Sequence, residues 1–141
     1  MSQDLDEFRA LGDGRFPGFL GIEVVDVRPG ATAMRLEVLP HHVAPNGFLH
    51  AGVVVGLADS ACGYGCVASL PDGAVNFATI EVKTNFLGTV TGGGIECRAS
   101  MVHGGRTTQV WDAEVIDVGS GKVLALFRCT QLIVYPPSDR G

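Results

Sequence analysis

The spacing of apolar and polar residues changes period along this chain, and each change marks an element. Leu5, Phe8 and Leu11 recur at helical spacing among the acids Asp4, Asp6 and Glu7, which predicts a short amphipathic helix over 2–11. Residues 12–21, rich in glycine and holding Pro17, read as a loop with Phe16, Phe19 and Leu20 as anchors to the core. Runs 22–28 and 31–39 flank Pro29-Gly30, and the second alternates Met34, Leu36 and Val38 against Arg35 and Glu37, predicting a hairpin. Residues 40–47 read as a second loop. Alternation then stops. From Ala51 to Ser69 only Asp59, Ser60, Tyr64 and Ser69 carry side-chain oxygen. A run this long and this apolar predicts a helix buried on all sides. After Pro71-Asp72-Gly73 the period returns to two. Segment 77–87 sets Ile80, Val82, Thr84 and Phe86 opposite Glu81, Lys83 and Asn85, and 95–103 sets Ile95, Cys97, Ala99 and Met101 against Glu96, Arg98 and Ser100. His103-Gly104-Gly105-Arg106 predicts a tight turn into 107–117; Gly119-Ser120-Gly121, with Lys122 as a turn residue, leads into 123–135. Residues 136–141 read as a loose tail.

The order is two strands, a long helix and four strands, without repeat or linker, which predicts one α+β domain over 1–141. A sheet curved around the central helix satisfies the helix's need for burial. It also offsets Gly52, Gly56, Gly63 and Gly65, each of which costs about 1 kcal/mol relative to Ala in a helix interior. At ~100° per residue, positions 52, 56, 59 and 63 fall within roughly 60° of one another. Asp59 therefore stands on a stripe of glycines. Such a stripe admits either a close packing neighbour or a ligand. The Gly52–Gly56 spacing and the helix length also suit a membrane span, but a central Asp and the lack of flanking basic residues argue against one.

Composition narrows the picture. A chain of 141 residues, 46% hydrophobic, is long enough for a proper core. A net charge of −5 argues against a nucleic-acid partner. Met1-Ser2-Gln3-Asp4 has no basic and apolar signal-peptide pattern, so a cytoplasmic location is expected. Cys62, Cys66, Cys97 and Cys129 contain no Cys-x-x-Cys pair and read as small buried thiols. His41 and His42 are adjacent, but no carboxylate or Cys stands at ligand spacing, and no metal is expected.

The segment Asn46-x3-His50-Ala51-Gly52-x6-Asp59 resembles the His-Gly-Gly…Asp signature of hotdog-fold acyl-CoA thioesterases, in the branch of the phenylacetate-pathway and 4-hydroxybenzoyl-CoA enzymes. The likeness runs from about Phe16 to Tyr135. It implies a hotdog fold, an acyl-CoA substrate with aryl or medium-chain acyl groups, and no separate cofactor. Asp59 is then the nucleophile or the general base, and the backbone N–H groups of Ala51 and Gly52 at the helix N-terminus are oxyanion donors. The resemblance further implies that Asn46 holds the carbonyl or water, that His50 organises the turn into the helix, and that Thr79 orients the water. Arg106, Thr107 and Thr108 fall where relatives contact the CoA nucleotide, and Phe16, Phe19 and Leu20 where relatives line the acyl pocket. Three departures stand out. Ala51 replaces a glycine, Leu87-Gly88-Thr89 replaces a basic residue and Pro, and Gly63 replaces a Thr found in some 4-hydroxybenzoyl-CoA enzymes.

Ala51 and Asp59 are eight residues apart, or ~12 Å along one helix. One thioester carbonyl does not comfortably reach both. The simplest arrangement faces the helix N-terminus of one subunit with Asp59 of another, a homodimer with shared sites or a dimer of such dimers, as in related hotdog enzymes. Two other readings compete: a non-catalytic acyl-CoA-binding module, and a hotdog enoyl-CoA hydratase or dehydratase. The second wants a catalytic His paired with an acid, and no strong second candidate is visible.

Overall fold

The computed structural model describes residues 5–138, so the expected helix start at 2–4 and the last tail residues lie outside the described part. Six strands form one antiparallel sheet: β1 (Glu23–Arg28), β2 (Ala31–Glu37), β3 (Asn76–Phe86), β4 (Gly94–Gly104), β5 (Thr108–Asp117) and β6 (Val123–Val134). Their order across the sheet is β1-β2-β4-β5-β6-β3. The helices are α1 (Leu5–Leu11), α2 (Phe16–Leu20) and α3 (Ala51–Ala68), and α3 packs against all six strands. This is the expected α+β hotdog fold, a sheet wrapped round one central helix. Leu57, Ala58, Ala61, Cys62 and Cys66 are wholly buried along α3, facing Met34, Ile95, Cys97, Trp111 and Val115 from the strands. The 18-residue helix α3 is long and apolar enough to cross a membrane, but here the sheet takes up its buried side. All four cysteines are buried free thiols.

The end of α3 is tied down by polar contacts. Thr32 Oγ1 donates to Ala61 O (2.7 Å), Gly30 N to Ser69 Oγ (2.9 Å), and Gln109 Nε2 to Ser69 O (2.9 Å). Gly65 lies directly under the indole of Trp111, where a Cβ would come within 2.5 Å of the ring. The glycine cost in this helix therefore admits a tryptophan at close range.

Three expectations need correction. Residues 12–21 are not all loop, because α2 occupies 16–20. Pro17 sits in its first turn and Gly21, at φ 76°, is its left-handed C-cap, so the residues that read as breakers are a helix start and stop. Of the three expected core anchors only Leu20 is buried; Phe16 is 57% exposed and Phe19 72% exposed. The face of β3 also differs. Thr79 pairs with Gln131 and Glu81 with Thr130, so Ile80 is a bulge with no residue opposite. The extra residue brings Phe77 and Thr79 onto the same face as Val82, Thr84 and Phe86, since their partners Ile133, Gln131, Cys129, Phe127 and Ala125 are all buried. Unbroken alternation would have put Thr79 on the outside.

Candidate active site

His50 caps α3. Its extended backbone (φ −67°, ψ 133°) leads into the helix, and its Nδ1 accepts the Gly52 N–H at 2.7 Å. A ring nitrogen that accepts leaves the proton on the other, so Nε2 carries N–H. The Gly52 amide thus has a partner within its own turn. The Ala51 N–H has no partner among the described residues. Helix N-termini concentrate partial positive charge on such groups. The cap thus presents the Ala51 N–H and the His50 Nε2–H.

Two turns further along, Asp59 is half-buried. Burial pushes its carboxyl above the ordinary aspartate range, and contact with the Thr79 hydroxyl opposes that rise. Thr79 Oγ1 stands 3.4 Å from Asp59 Oδ1 and 2.7 Å from Gln131 Oε1. The bulge at Ile80 makes this meeting possible by turning Thr79 toward α3.

The glycine stripe does not lie open. A Cβ on Gly56 would meet Leu20 and Phe16 at 2.9 and 3.0 Å, and one on Gly63 would meet Phe77 at 3.1 Å. Side chains of the chain itself fill the stripe on both sides of Asp59, and Phe16 stays exposed as an apolar wall one turn away. His42 holds α2 there. Its buried ring donates from Nε2 to Leu20 O (2.8 Å) while Nδ1 accepts from Leu39 N (2.9 Å). Burial lowers the His42 pKa, so the ring is kept neutral and structural.

The remaining sequence candidates lie apart from Asp59. Asn46 is exposed, and its Oδ1 accepts the Phe48 N–H (3.2 Å) within its own loop. Arg106 sits in the β4–β5 turn, its guanidinium 5.2 Å from the centre of the Tyr135 ring, whose hydroxyl donates to Arg106 O (2.5 Å). Thr107 O accepts from Ile133 N and Thr108 O from Gly105 N, both at 2.9 Å, so these two threonines build the turn with their backbones. An open groove of about 910 Å³ lies at the far end of α3, against Val27, Pro29, Ala68 and Pro71, and Asp59 is not among the residues that line it.

Sequence reasoning missed two residues of the surroundings: Phe77, packed at Gly63 one turn beyond Asp59, and Gln131, which bonds Thr79. The signal for Gln131 was present: inward positions of β6 read Ala125, Phe127, Cys129, Gln131, Ile133, with one amide among apolar groups. Tyr135, beside Arg106, was read only as the end of a strand.

Residues 46–124 match the model of the thioesterase superfamily. A 1,4-dihydroxy-2-naphthoyl-CoA hydrolase from Listeria monocytogenes is 35% identical over 111 residues, covering 79% of this chain and 89% of the relative. A thioesterase from Pseudomonas aeruginosa superposes with a TM-score of 0.90 at 26% identity, covering 96% of this chain and 97% of that one. The phenylacetic acid degradation protein PaaI from Thermus thermophilus superposes with a TM-score of 0.76 at 28% identity, over 83% and 96% of the two chains.

Proposed function

This chain belongs to the thioesterase superfamily and is a thioester hydrolase, and on that premise we propose that it hydrolyses aryl- or medium-chain acyl-CoA with Asp59 as general base. The observation that carries the reading is a half-buried carboxylate of raised pKa beside the Thr79 hydroxyl, on a helix face that Phe16 covers at Gly56 and Phe77 at Gly63. Burial makes Asp59 a stronger base than a solvated aspartate, and Phe16 offers an apolar surface to the acyl group. The aromatic choice is supported by the Listeria relative, whose name specifies a naphthoyl-CoA.

In this mechanism Asp59 takes a proton from water as the water oxygen bonds to the thioester carbon. The carbonyl electrons move onto oxygen, where the Ala51 N–H and the His50 Nε2–H stabilise the charge. Collapse breaks the carbon–sulfur bond, and the leaving thiolate recovers the proton from Asp59. Direct attack by the carboxylate is the competing route; the general base is favoured because Thr79 stands where it can hold the same water. Asn46 supplies its amide to the carbonyl or water, and Arg106, with Thr107 and Thr108, meets the CoA phosphates.

The ~12 Å along α3 between Ala51 and Asp59 again points to two chains per site. Edge strand β3 supports this. Val82 and Phe86 lie on its inner face yet remain 43% and 49% exposed, and Ile80 and Leu87 are 57% and 60% exposed. A long apolar edge is a template for pairing, and Asp59 reaches this edge through Thr79. We therefore read the protein as a homodimer with shared sites. A dimer of dimers and a cytoplasmic location, in keeping with four free thiols, belong to the same reading.

The test is a panel of aroyl-, medium-chain and acetyl-CoA assayed for free-thiol release. We expect kcat/KM for an aroyl-CoA to exceed that for acetyl-CoA at least about tenfold. Binding of these thioesters with no thiol release would favour a non-catalytic acyl-CoA module instead.

A further inference from the structure

Gln131 is wholly buried, yet among the described residues its side chain bonds no backbone group. Its oxygen meets Thr79 Oγ1 at 2.7 Å and its nitrogen meets Cys129 Sγ at 3.4 Å. Gln109, the other buried amide, differs: it binds Ser69 O and the Trp111 indole and so serves the packing of α3. A buried amide is costly unless it is hydrogen-bonded, and among the described residues the only oxygen partner of the Gln131 side chain is a hydroxyl touching the candidate base.

Proton counting gives that contact a direction. A threonine hydroxyl has one proton and two lone pairs. At 2.7 Å the spacing to Gln131 is that of an O–H donor meeting an oxygen, while 3.4 Å to Asp59 is long for a hydrogen bond. The amide orientation that fits gives the oxygen to Thr79 and the N–H to the Cys129 sulfur. Thr79 then spends its proton on Gln131 and turns lone pairs toward Asp59.

We propose that Gln131 is a positioning residue that holds the Thr79 proton and so makes Thr79 an acceptor for the attacking water. The inference rests on Asp59 acting as general base. The water donates one proton to Asp59 and the other to Thr79 Oγ1, which leaves an oxygen lone pair for the thioester carbon. With its proton held by Gln131, Thr79 brings only a long 3.4 Å contact to Asp59 and little of the lowering that a donated hydrogen bond would cause, so burial keeps the carboxylate basic. The ionisable groups around it are few: Cys62 on α3 and Cys129 on β6, both buried thiols, with Thr79 the β3 contact and no titratable side chain on α2.

The test is a double-mutant cycle read by pH profiles. Gln131→Met removes the acceptor at similar volume and frees the Thr79 proton for Asp59. We expect kcat to fall roughly tenfold with KM within about twofold, and the acid limb of the kcat profile to move to lower pH. Thr79→Val lowers kcat by a similar factor, and adding Gln131→Met to it changes neither kcat nor the limb. If Gln131→Met folds poorly, Gln131→Asn, whose shorter amide falls out of reach of Thr79, is expected to show the same shift. An unmoved acid limb, or an equal kcat loss in both backgrounds, would overturn the proposal and return Gln131 to packing. Wild-type turnover in Asp59→Asn would instead remove the reading beneath it, so the two failures are distinguishable.

Discussion

At the scale of single residues, burial alone moves Asp59 away from the behaviour of a solvated aspartate. Asp59→Asn should lower turnover by a factor on the order of 10²–10⁴ with the fold intact, as measured by thiol release. The same substitution makes a stability prediction of definite sign. The folded-state pKa of Asp59 is raised by burial, so the folded state binds a proton more readily than the unfolded state. The favourable contribution is complete below the unfolded pKa and is lost as pH rises through the folded pKa. At neutral pH the ionised Asp59 therefore destabilises the fold. Asp59→Asn should melt at a higher temperature than the parent at pH 7.5, with the gap closing in acid. A lower Tm for the variant at pH 7.5 would contradict burial as the cause of the shift. Asp59 was legible from the sequence because a lone carboxylate in so long an apolar run is conspicuous. Gln131 was less so, because its importance lies in which oxygen it faces across two strands.

At the scale of elements, α3 carries its glycines for two different reasons. Gly56 and Gly63 accommodate Phe16, Leu20 and Phe77, while Gly65 lies against a pinned indole. Gly65→Ala should gain about 1 kcal/mol of helix propensity and lose about 1–3 kcal/mol to overpacking. The Trp111 ring cannot swing away, since Nε1 is bonded to buried Gln109, so the loss should win. A net destabilisation of up to about 2 kcal/mol by denaturant titration is expected, and a stabilised variant would show that Trp111 has room to move. The β4–β5 turn carries a separate prediction. Arg106→Ala should raise KM several-fold with little change in kcat, and the effect should shrink with added salt, as expected of a phosphate contact. An unchanged KM at low ionic strength would leave Arg106 as a partner of Tyr135 alone.

At the scale of the whole molecule, the question is how many chains make one site. Ala51→Pro removes the unpartnered N–H at a helix position that tolerates proline, and the extended backbone of His50 suits a residue before proline. Asp59→Asn removes the acid. Each variant alone should be nearly inactive. Co-refolding them makes heterodimers in which one shared site carries both defects and the other carries neither. Up to about a quarter of wild-type activity should return if subunits mix at random, because half of the dimers then hold one intact site of two. Scattering and circular dichroism on each variant check folding and assembly. Verified subunit exchange without regained activity would place both groups in one chain.

The elements and their order followed from local information. A nineteen-residue stretch with almost no polar atoms has to be buried, and alternating strands on either side supply the surface that buries it. The acid and the helix N-terminus were readable for the same reason, since each belongs to a local pattern, whereas Thr79 entered only through the family resemblance. What surrounds the acid was decided in three dimensions. One bulged residue, Ile80, reverses the facing of Phe77 and Thr79, and a strict period of two cannot foretell it. The cap of α3 was decided there too: the His50 ring claims the Gly52 amide and leaves Ala51 as the open donor. The exposure of Phe16, the buried hydrogen bonds of His42 and the bond from Thr79 to Gln131 all join residues distant in the chain. Hydrogen-bond direction at such contacts depends on which groups the fold brings within 3 Å, and residue spacing along the chain carries no record of that.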